Sequence, residues 1–333
     1  MKKYKVLVLT DHKGHSIQNS IYAILQGMLK HEQCMHIDIA SRGVVENQLF
    51  FESHDKGALH VVTLNSKFKY SESGEVYTEN LKKANVEDYN FVFLRLPRPL
   101  SDESLLWFEE LFSNATIVNS AKGIIATSSK AFLLNFPDVC PDIKLCTSIA
   151  DVMEEVEKYP IVLKPLKEYG GRGLLKINKE HIDDGENIHD TNTYLASIKD
   201  QIENDNYLSM RFLKNVTKGD KRILVVDGEI MASSLRLPAE DSWLCNVAQG
   251  GTSVPSEATQ EEVNIISTIK SKLRAQGIFM YGVDTLENDE GKRILSEINT
   301  LSIGGWPQAE AQTGIPIINK LINKLFQHAD RHK

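Results

Sequence analysis

The stretch IVLKPLKEYGGRGLLKI, residues 161–177, sets a single lysine inside an apolar run, turns at a proline, passes three glycines and becomes apolar again. Two short strands, IVLKPL and GLLKIN, joined through YGGRG account for this pattern. Glycine adopts φ values that other residues resist and lets backbone N–H groups come close to a ligand, so one reading of the loop is a nest of donors over a phosphate. The other is plain turn chemistry between two strands. Because the loop opens no helix, it is neither a P-loop nor a dinucleotide fingerprint. Lys164, directly before it, would add a point charge for the same phosphates, and a buried ammonium needs such negative charge beside it.

Outward from this hairpin, the chain reads as alternating strands and helices. KVLVLT, an amphipathic stretch near residues 16–31, MHIDIAS, FVFLRL and TIVNS suggest a small open α/β lobe up to about residue 122. KLCTS, the helical DVMEEVEKY, the opening hairpin, a helix near 191–203 and YLSMRFL form a second α/β unit. KRILVVDGE and IMASSLRLP pair around Asp227-Gly228, a dipeptide that favours a tight hairpin turn. A loop over 238–256 and a helix over 258–276 lead to a further hairpin, MYGVDTLENDEGKRILSEIN, and PIINKLINKLFQHA ends the sequence as an amphipathic packed helix.

That last hairpin carries acids. A turn at Glu290-Gly291 sets Asp284 opposite Glu297, and strand alternation puts Asn299 on the same face. Two carboxylates so close repel unless a cation lies between them, and an all-oxygen set suits Mg²⁺, with Mn²⁺ as the alternative ion, bridging to phosphate. An exposed hairpin with solvated acids satisfies the same spacing.

Composition narrows the class. The 333 residues are 41% hydrophobic and 25% charged, with a net charge of -7, which argues for a globular chain and against an electrostatic grip on nucleic acid. The short apolar run of MKKYKVLVLTD is too brief for a signal peptide or membrane anchor. Cys34, Cys140, Cys146 and Cys245 have no zinc-like spacing and read as reduced thiols of a cytoplasmic protein.

Taken together, KPL…GGRG, GDKRILVVDGE, NVAQGG, GVD and EIN, in this order, resemble the ATP-grasp ligases and, within them, the bacterial glutathione synthetase family, over about residues 90–330. The resemblance implies a three-lobed α/β ATP-grasp fold: an N-terminal open α/β substrate lobe (1–122), a central lobe with the glycine-rich lid (123–213) and a C-terminal lobe with the metal site (214–333), the last two clasping ATP. It implies that a carboxylate is phosphorylated to an acyl phosphate and attacked by an amine. By the same likeness Lys130 and Lys164 touch the nucleotide phosphates, and Tyr169, Gly170, Gly171, Arg172 and Gly173 form the lid. Met210, Arg211, Phe212 and Leu213 form the adenine hinge, and Asp220 meets the ribose. Arg222 stabilises the transferred phosphoryl group, Arg236 and Asn246 contact substrate or transition state, and Asp284, Glu297 and Asn299 hold Mg²⁺. Surface ion pairs for the two arginines and a solvated position for Lys130 are the alternatives.

The substrate segments depart from the family pattern. NTLSIGGWPQAEAQTG lacks the family's arginine, LRLPRPLSDE keeps Arg95 and Arg98 but lacks its aspartate and paired prolines, and NVAQGGTSVP lacks the arginine that usually follows. Glutathione formation from γ-glutamylcysteine and glycine leads. A ligase for another amino acid or peptide pair, or a nucleotide-binding regulator without activity, are the rivals. The likeness also implies a homo-oligomer, dimer or tetramer. Ser302 to Thr313 is expected to choose the carboxylate, with Trp306 either a flat wall for it or core.

Overall fold

Three sheets organise the chain in the computed structural model, which describes residues 2–168, 170–239, 243–245 and 251–331. The first contains β1 (Tyr4–Thr10), β2 (Cys34–Ser41), β3 (His60–Thr63), β4 (Lys82–Lys83), β5 (Phe91–Arg95) and β6 (Thr116–Val118), in the order β4-β3-β2-β1-β5-β6. β1 lies parallel to both β2 and β5, and β5 to β6. Such strands are covered on both faces, and β1 shows this: Val6 and Val8 enter one cluster, Leu7 and Leu9 another. The helix Ser20–Met28 and the terminal helix Ile317–Arg331 close the first face. Tyr4 OH and the Gln33 amide both donate to Asp330, which ties the two ends of the chain together.

The second sheet is antiparallel: β7 (Ile143–Cys146), β8 (Ile161–Pro165), β9 (Leu175–Ile177), β10 (His181–Asp183), β11 (Ile188–Asp190) and β12 (Tyr207–Arg211), ordered β11-β10-β9-β8-β12-β7. The third is also antiparallel: β13 (Asp220–Val226), β14 (Glu229–Leu237), β15 (Thr252–Pro255), β16 (Met280–Glu287) and β17 (Arg293–Asn299), ordered β15-β14-β13-β16-β17. At the β13–β14 turn Val226 faces Glu229, and Asp227 and Gly228 both take positive φ, 53° and 76°. This is the twist-matched two-residue turn that Asp-Gly favours.

The β16–β17 turn differs from the expected two-residue one at Glu290-Gly291. Glu287 pairs with Arg293, and the Asn288 side chain accepts from the amides of Glu290 and Lys292 while Gly291 sits at φ 82°. That longer turn shifts the register by one residue, and an irregularity beside Asp284 shifts it back, so Asp284 still faces Glu297.

Asn119, just beyond β6, docks the first sheet on the third. Its amide donates to the carbonyls of Met280 and Thr300 and accepts from the amides of Phe279 and Met280, at 2.7 to 2.9 Å. Removing it strands four backbone groups in a buried site, which costs on the order of 3 kcal/mol. Asn119→Ala is therefore expected to lower the denaturant midpoint strongly, and Asn119→Asp nearly as much because it lacks the donor. A midpoint within experimental error of the parent would show that the sheets are held by other contacts.

Candidate active site

Alternation along the third sheet brings its charged side chains to one face. Tyr281 and Val283 point into the core shared with the first sheet, so Asp284 points away from it, and on β13 Ile223 and Val225 do the same for Arg222. Cross-strand pairing then lines up Arg236 with Asp220, Arg222 with Asp284, and Asp284 with Glu297. The result is a band of charged side chains across four adjacent strands, ending in the two facing carboxylates.

Within that band, Asp284 is bound by both guanidinium groups. Arg222 donates to its two oxygens through Nε and Nη2, the latter at 2.7 Å, and Arg236 Nη2 lies 3.0 Å from Oδ2. Burial pushes the Asp284 carboxyl up, but Arg222 and Arg236 outweigh it and hold the group down to about 2. Arg236 also forks onto Asp220 at 2.8 and 2.5 Å. Both Asp220 oxygens thus accept from Arg236, so neither group is free in the ligand-free protein. Asn299 donates to Asp284 at 3.4 Å.

The second sheet faces this band. Lys164, on the same side of β8 as Val162, reaches across to the carbonyl of Ser296 at 3.4 Å. Lys130 is buried, not a solvated helix lysine: it sits 3.7 Å from Glu297 and donates to the carbonyl of Glu168 at the base of the glycine loop. Between the sheets lies a cleft of about 610 Å³, bordered by Lys164, Met210 to Leu213, Asp220, Asp284 and Glu297. The amides of Arg211 and Phe212 already donate to Asp142 and Pro160, so neither serves a purine. In the loop, Gly170, Gly171 and Gly173 take φ between 66° and 80°, and a Cβ at Gly173 would lie 3.0 Å from Pro165. Arg172 is exposed beside Glu168. Tyr169 and Asn246 lie outside the described residues.

The metal assignment meets an all-oxygen set on one face. Among the described residues no group of three or more His, Cys, Asp or Glu could hold an ion; the expected set brings two carboxylates and the Asn299 amide. Hard oxygen donors fit Mg²⁺, although Asp284 must share its oxygens with two arginines. The sequence missed Ser296, whose carbonyl meets Lys164 and whose hydroxyl donates to the Asp284 carbonyl. It also gave Trp306 an open choice, which the fold resolves: the indole is 0% exposed, donates to Ile303 and packs with the terminal helix. It is core and not a substrate wall.

Two antiparallel sheets clasping a charged cleft, with an open α/β lobe beside them, define an ATP-grasp ligase, an ATP-dependent enzyme forming C–N bonds. The D-alanine–D-alanine ligase of Bacillus anthracis complexed with ATP superposes with a TM-score of 0.60 at 13% identity, covering 99% of this chain and 98% of that one. D-cycloserine synthetase DcsG gives 0.65 at 10% identity over 99% and 100%. The family model of the prokaryotic glutathione synthetase ATP-grasp domain matches residues 129–314, and the chain belongs to that family. The glutathione synthetase of Prochlorococcus marinus (strain MIT 9313) is 28% identical over 245 residues, 72% of this chain and 75% of the relative. That of Mesorhizobium japonicum (strain LMG 29417 / CECT 9101 / MAFF 303099) is 27% identical over 254 residues, 74% and 76%.

Burial lowers the pKa of Lys164 to about 8, against the pull of Glu297. A lysine whose folded pKa lies below its unfolded value destabilises the fold while protonated, and this penalty fades as pH climbs from about 8 towards 10.5. Lys164→Met should therefore raise the unfolding midpoint of the ligand-free protein, by up to about 3 kcal/mol. The gain should be larger near neutral pH than above the folded pKa. A gain that does not change with pH would mean that the folded and unfolded states bind the Lys164 proton equally, so that burial does not shift its pKa.

Proposed function

We propose that this chain joins γ-glutamylcysteine to glycine at the expense of ATP, with Mg²⁺, in three lobes divided as 1–122, 123–213 and 214–333. The observation that carries the reading is the Asp284–Glu297 pair, set on one sheet face, with Lys130 of a short helix 3.7 Å from Glu297 and Lys164 of the opposite sheet reaching the adjacent Ser296 carbonyl. Lys130 and Lys164 bind the nucleotide phosphates, the loop 169–173 covers them, and Met210 to Leu213 border the base. Asp284, Glu297 and Asn299 would hold the dication, which supplies charge to the phosphates as phosphoryl transfer proceeds.

The rest is done by side chains of this chain. Arg222, forked on Asp284, is held ready for the phosphoryl oxygens, where a guanidinium contacts two at once. A carboxylate oxygen of the acyl donor attacks the terminal phosphorus of ATP, ADP leaves, and the acyl phosphate forms. The amine then attacks the carbonyl carbon and phosphate departs, a far better leaving group than an oxide. Arg236 and Asn246 are assigned to the substrate and transition state, and Asp220, which grips Arg236, to orienting it. Excluding water from the acyl phosphate is the second task of the glycine loop. A different acyl donor and amine with the same chemistry is the second reading, favoured by Gly304-Gly305 standing where the family carries a charged grip. Cytoplasmic residence fits the four free thiols, and assembly as a homo-oligomer rests on the family likeness alone.

Turnover follows as a set of measurements. ADP release should require a carboxylate substrate and should stop with EDTA, and equal rates with and without the chelator would remove the metal assignment. Glu297→Gln should keep the fold and lose at least about tenfold in kcat, about 1.4 kcal/mol of barrier. Lys164→Met should weaken ATP binding in calorimetry. If γ-glutamylcysteine with glycine yields no ADP while another pair does, the specific assignment fails and the ligase stands.

A further inference from the structure

The strands of the second sheet end at Arg211 and those of the third begin at Asp220, so the chain crosses between the two sheets once, from β12 to β13. The start of this connection, Arg211 to Leu213, borders the cleft, as does Leu286 near the end of β16. The turn that follows β16 lies along the same connection. Asp289 Oδ1 accepts from the amide of Lys214 at 3.1 Å, and Asp289 Oδ2 from Arg211 Nη2 at 3.2 Å. Asn215 Nδ2 donates to the Asn288 carbonyl at 2.7 Å. At the flanks, Lys218 pairs with Glu287 at 2.5 Å and Arg293 Nη1 donates to the carbonyl of Gly219 at 3.0 Å.

The turn closes on its own groups and keeps Asp289 for the connection. The Asn288 side chain accepts from the amides of Glu290 and Lys292, and the Asn288 amide donates to the Lys292 carbonyl at 2.8 Å. Both Asp289 oxygens are thereby left to residues of the connection. From the other side, the Arg211 guanidinium lies 3.7 Å from Asp142 and over the ring of Tyr159, 5.5 Å from its centroid. It links the base of the second sheet to a turn of the third. A half-exposed ion pair alone contributes little. Here it shares one carboxylate with a backbone N–H, and the neighbouring carbonyl holds Asn215, so the contacts act together on residues 211–215.

We infer that Asp289, with Asn288, is a positioning residue for the nucleotide: the β16–β17 turn clamps the single connection between the sheets and fixes the separation at which Lys130 and Lys164 on one side and the acids on the other can grip one nucleotide. The inference rests on the nucleotide site proposed above. Neither residue lines the cleft. They act through the relation of the two sheets, because a ligand held from both sides binds more weakly when binding must first fix that relation. The acyl donor is not subject to this, since the first and third sheets are held together at Asn119.

Calorimetry of the full chain with ATP and Mg²⁺, and separately with γ-glutamylcysteine, tests the clamp. Asp289→Ala should weaken ATP binding about fivefold, the range of one net hydrogen bond, and leave the affinity for γ-glutamylcysteine at the parental value. Asp289→Asn keeps an acceptor for the Lys214 amide but has no charge for Arg211, so a smaller loss is expected. In an Arg211→Ala background Asp289→Asn should have no further effect, the signature of two groups acting as one. If Asp289→Ala does not fold, Asp289→Asn is read in its place. Unchanged or tighter ATP binding overturns the inference, even where the denaturant midpoint falls, because the turn then serves stability alone. Equal weakening for ATP and γ-glutamylcysteine, or full additivity with Arg211→Ala, overturns it as well. Failure of the parent to bind γ-glutamylcysteine retires that donor and leaves the ATP comparison to decide the clamp. A parent that does not bind ATP retires the nucleotide site itself, whereas a parent that binds it as tightly as its variants retires only the clamp.

Discussion

The side-chain amide of Asn119 holds two sheets in one relation. A primary amide is both donor and acceptor, and here each half is used twice, on backbone groups at the start of β16 and just past the end of β17. Those are the two strands that carry Asp284 and Glu297. The carboxyl edge of the first sheet is thereby fixed against the acid-bearing hairpin, and the Thr127–Thr300 and Ser302–Leu96 bonds extend the seam. Without that docking, the carboxyl edge of the first sheet and the acid-bearing hairpin would have no fixed relation.

Electrostatics across the cleft follow from the clasp. Lysines come from the middle of the chain, Lys130 and Lys164, while acids come from the third sheet, so closing the two brings opposite charge into a site of low dielectric. In the ligand-free protein the charges satisfy one another: Asp284 with two arginines, Glu297 with Lys130. Binding of a polyanionic nucleotide and a dication therefore exchanges partners and does not create charge in an empty site. The buried lysine of reduced pKa is the cost of that arrangement, a penalty on the stability of the ligand-free fold.

The segment after Asn299 shows where a motif reading leaves a side chain's place open. Gly304-Gly305-Trp306 stands where the family carries a charged run, and a tryptophan beside two glycines invites a role at the substrate. In the fold the amide of Trp306 meets the hydroxyl of Ser20 and its ring fills the space between the first and last helices. A large aromatic gains more from full burial than from a half-exposed wall.

The sequence by itself determined the local chemistry: the glycine loop after Lys164, the Asp-Gly turn at residue 227, the helices, and the placing of Asp284 opposite Glu297. These depend on alternation and on turn residues that act within a few positions of one another. Even there, the length of the second hairpin turn escaped notice, because the Asn288 cap and the compensating irregularity beside Ser296 cancel in the register. Tertiary structure alone decided the pairings between distant strands. That Arg222 and Arg236 both grip Asp284, that the amides of Arg211 and Phe212 are already spent and that Asn119 joins two sheets all require elements far apart in the chain to be packed together. Side-chain partners at such separations are set by sheet order and by the docking of one lobe on another, and neither is written in the periodicity of any single segment.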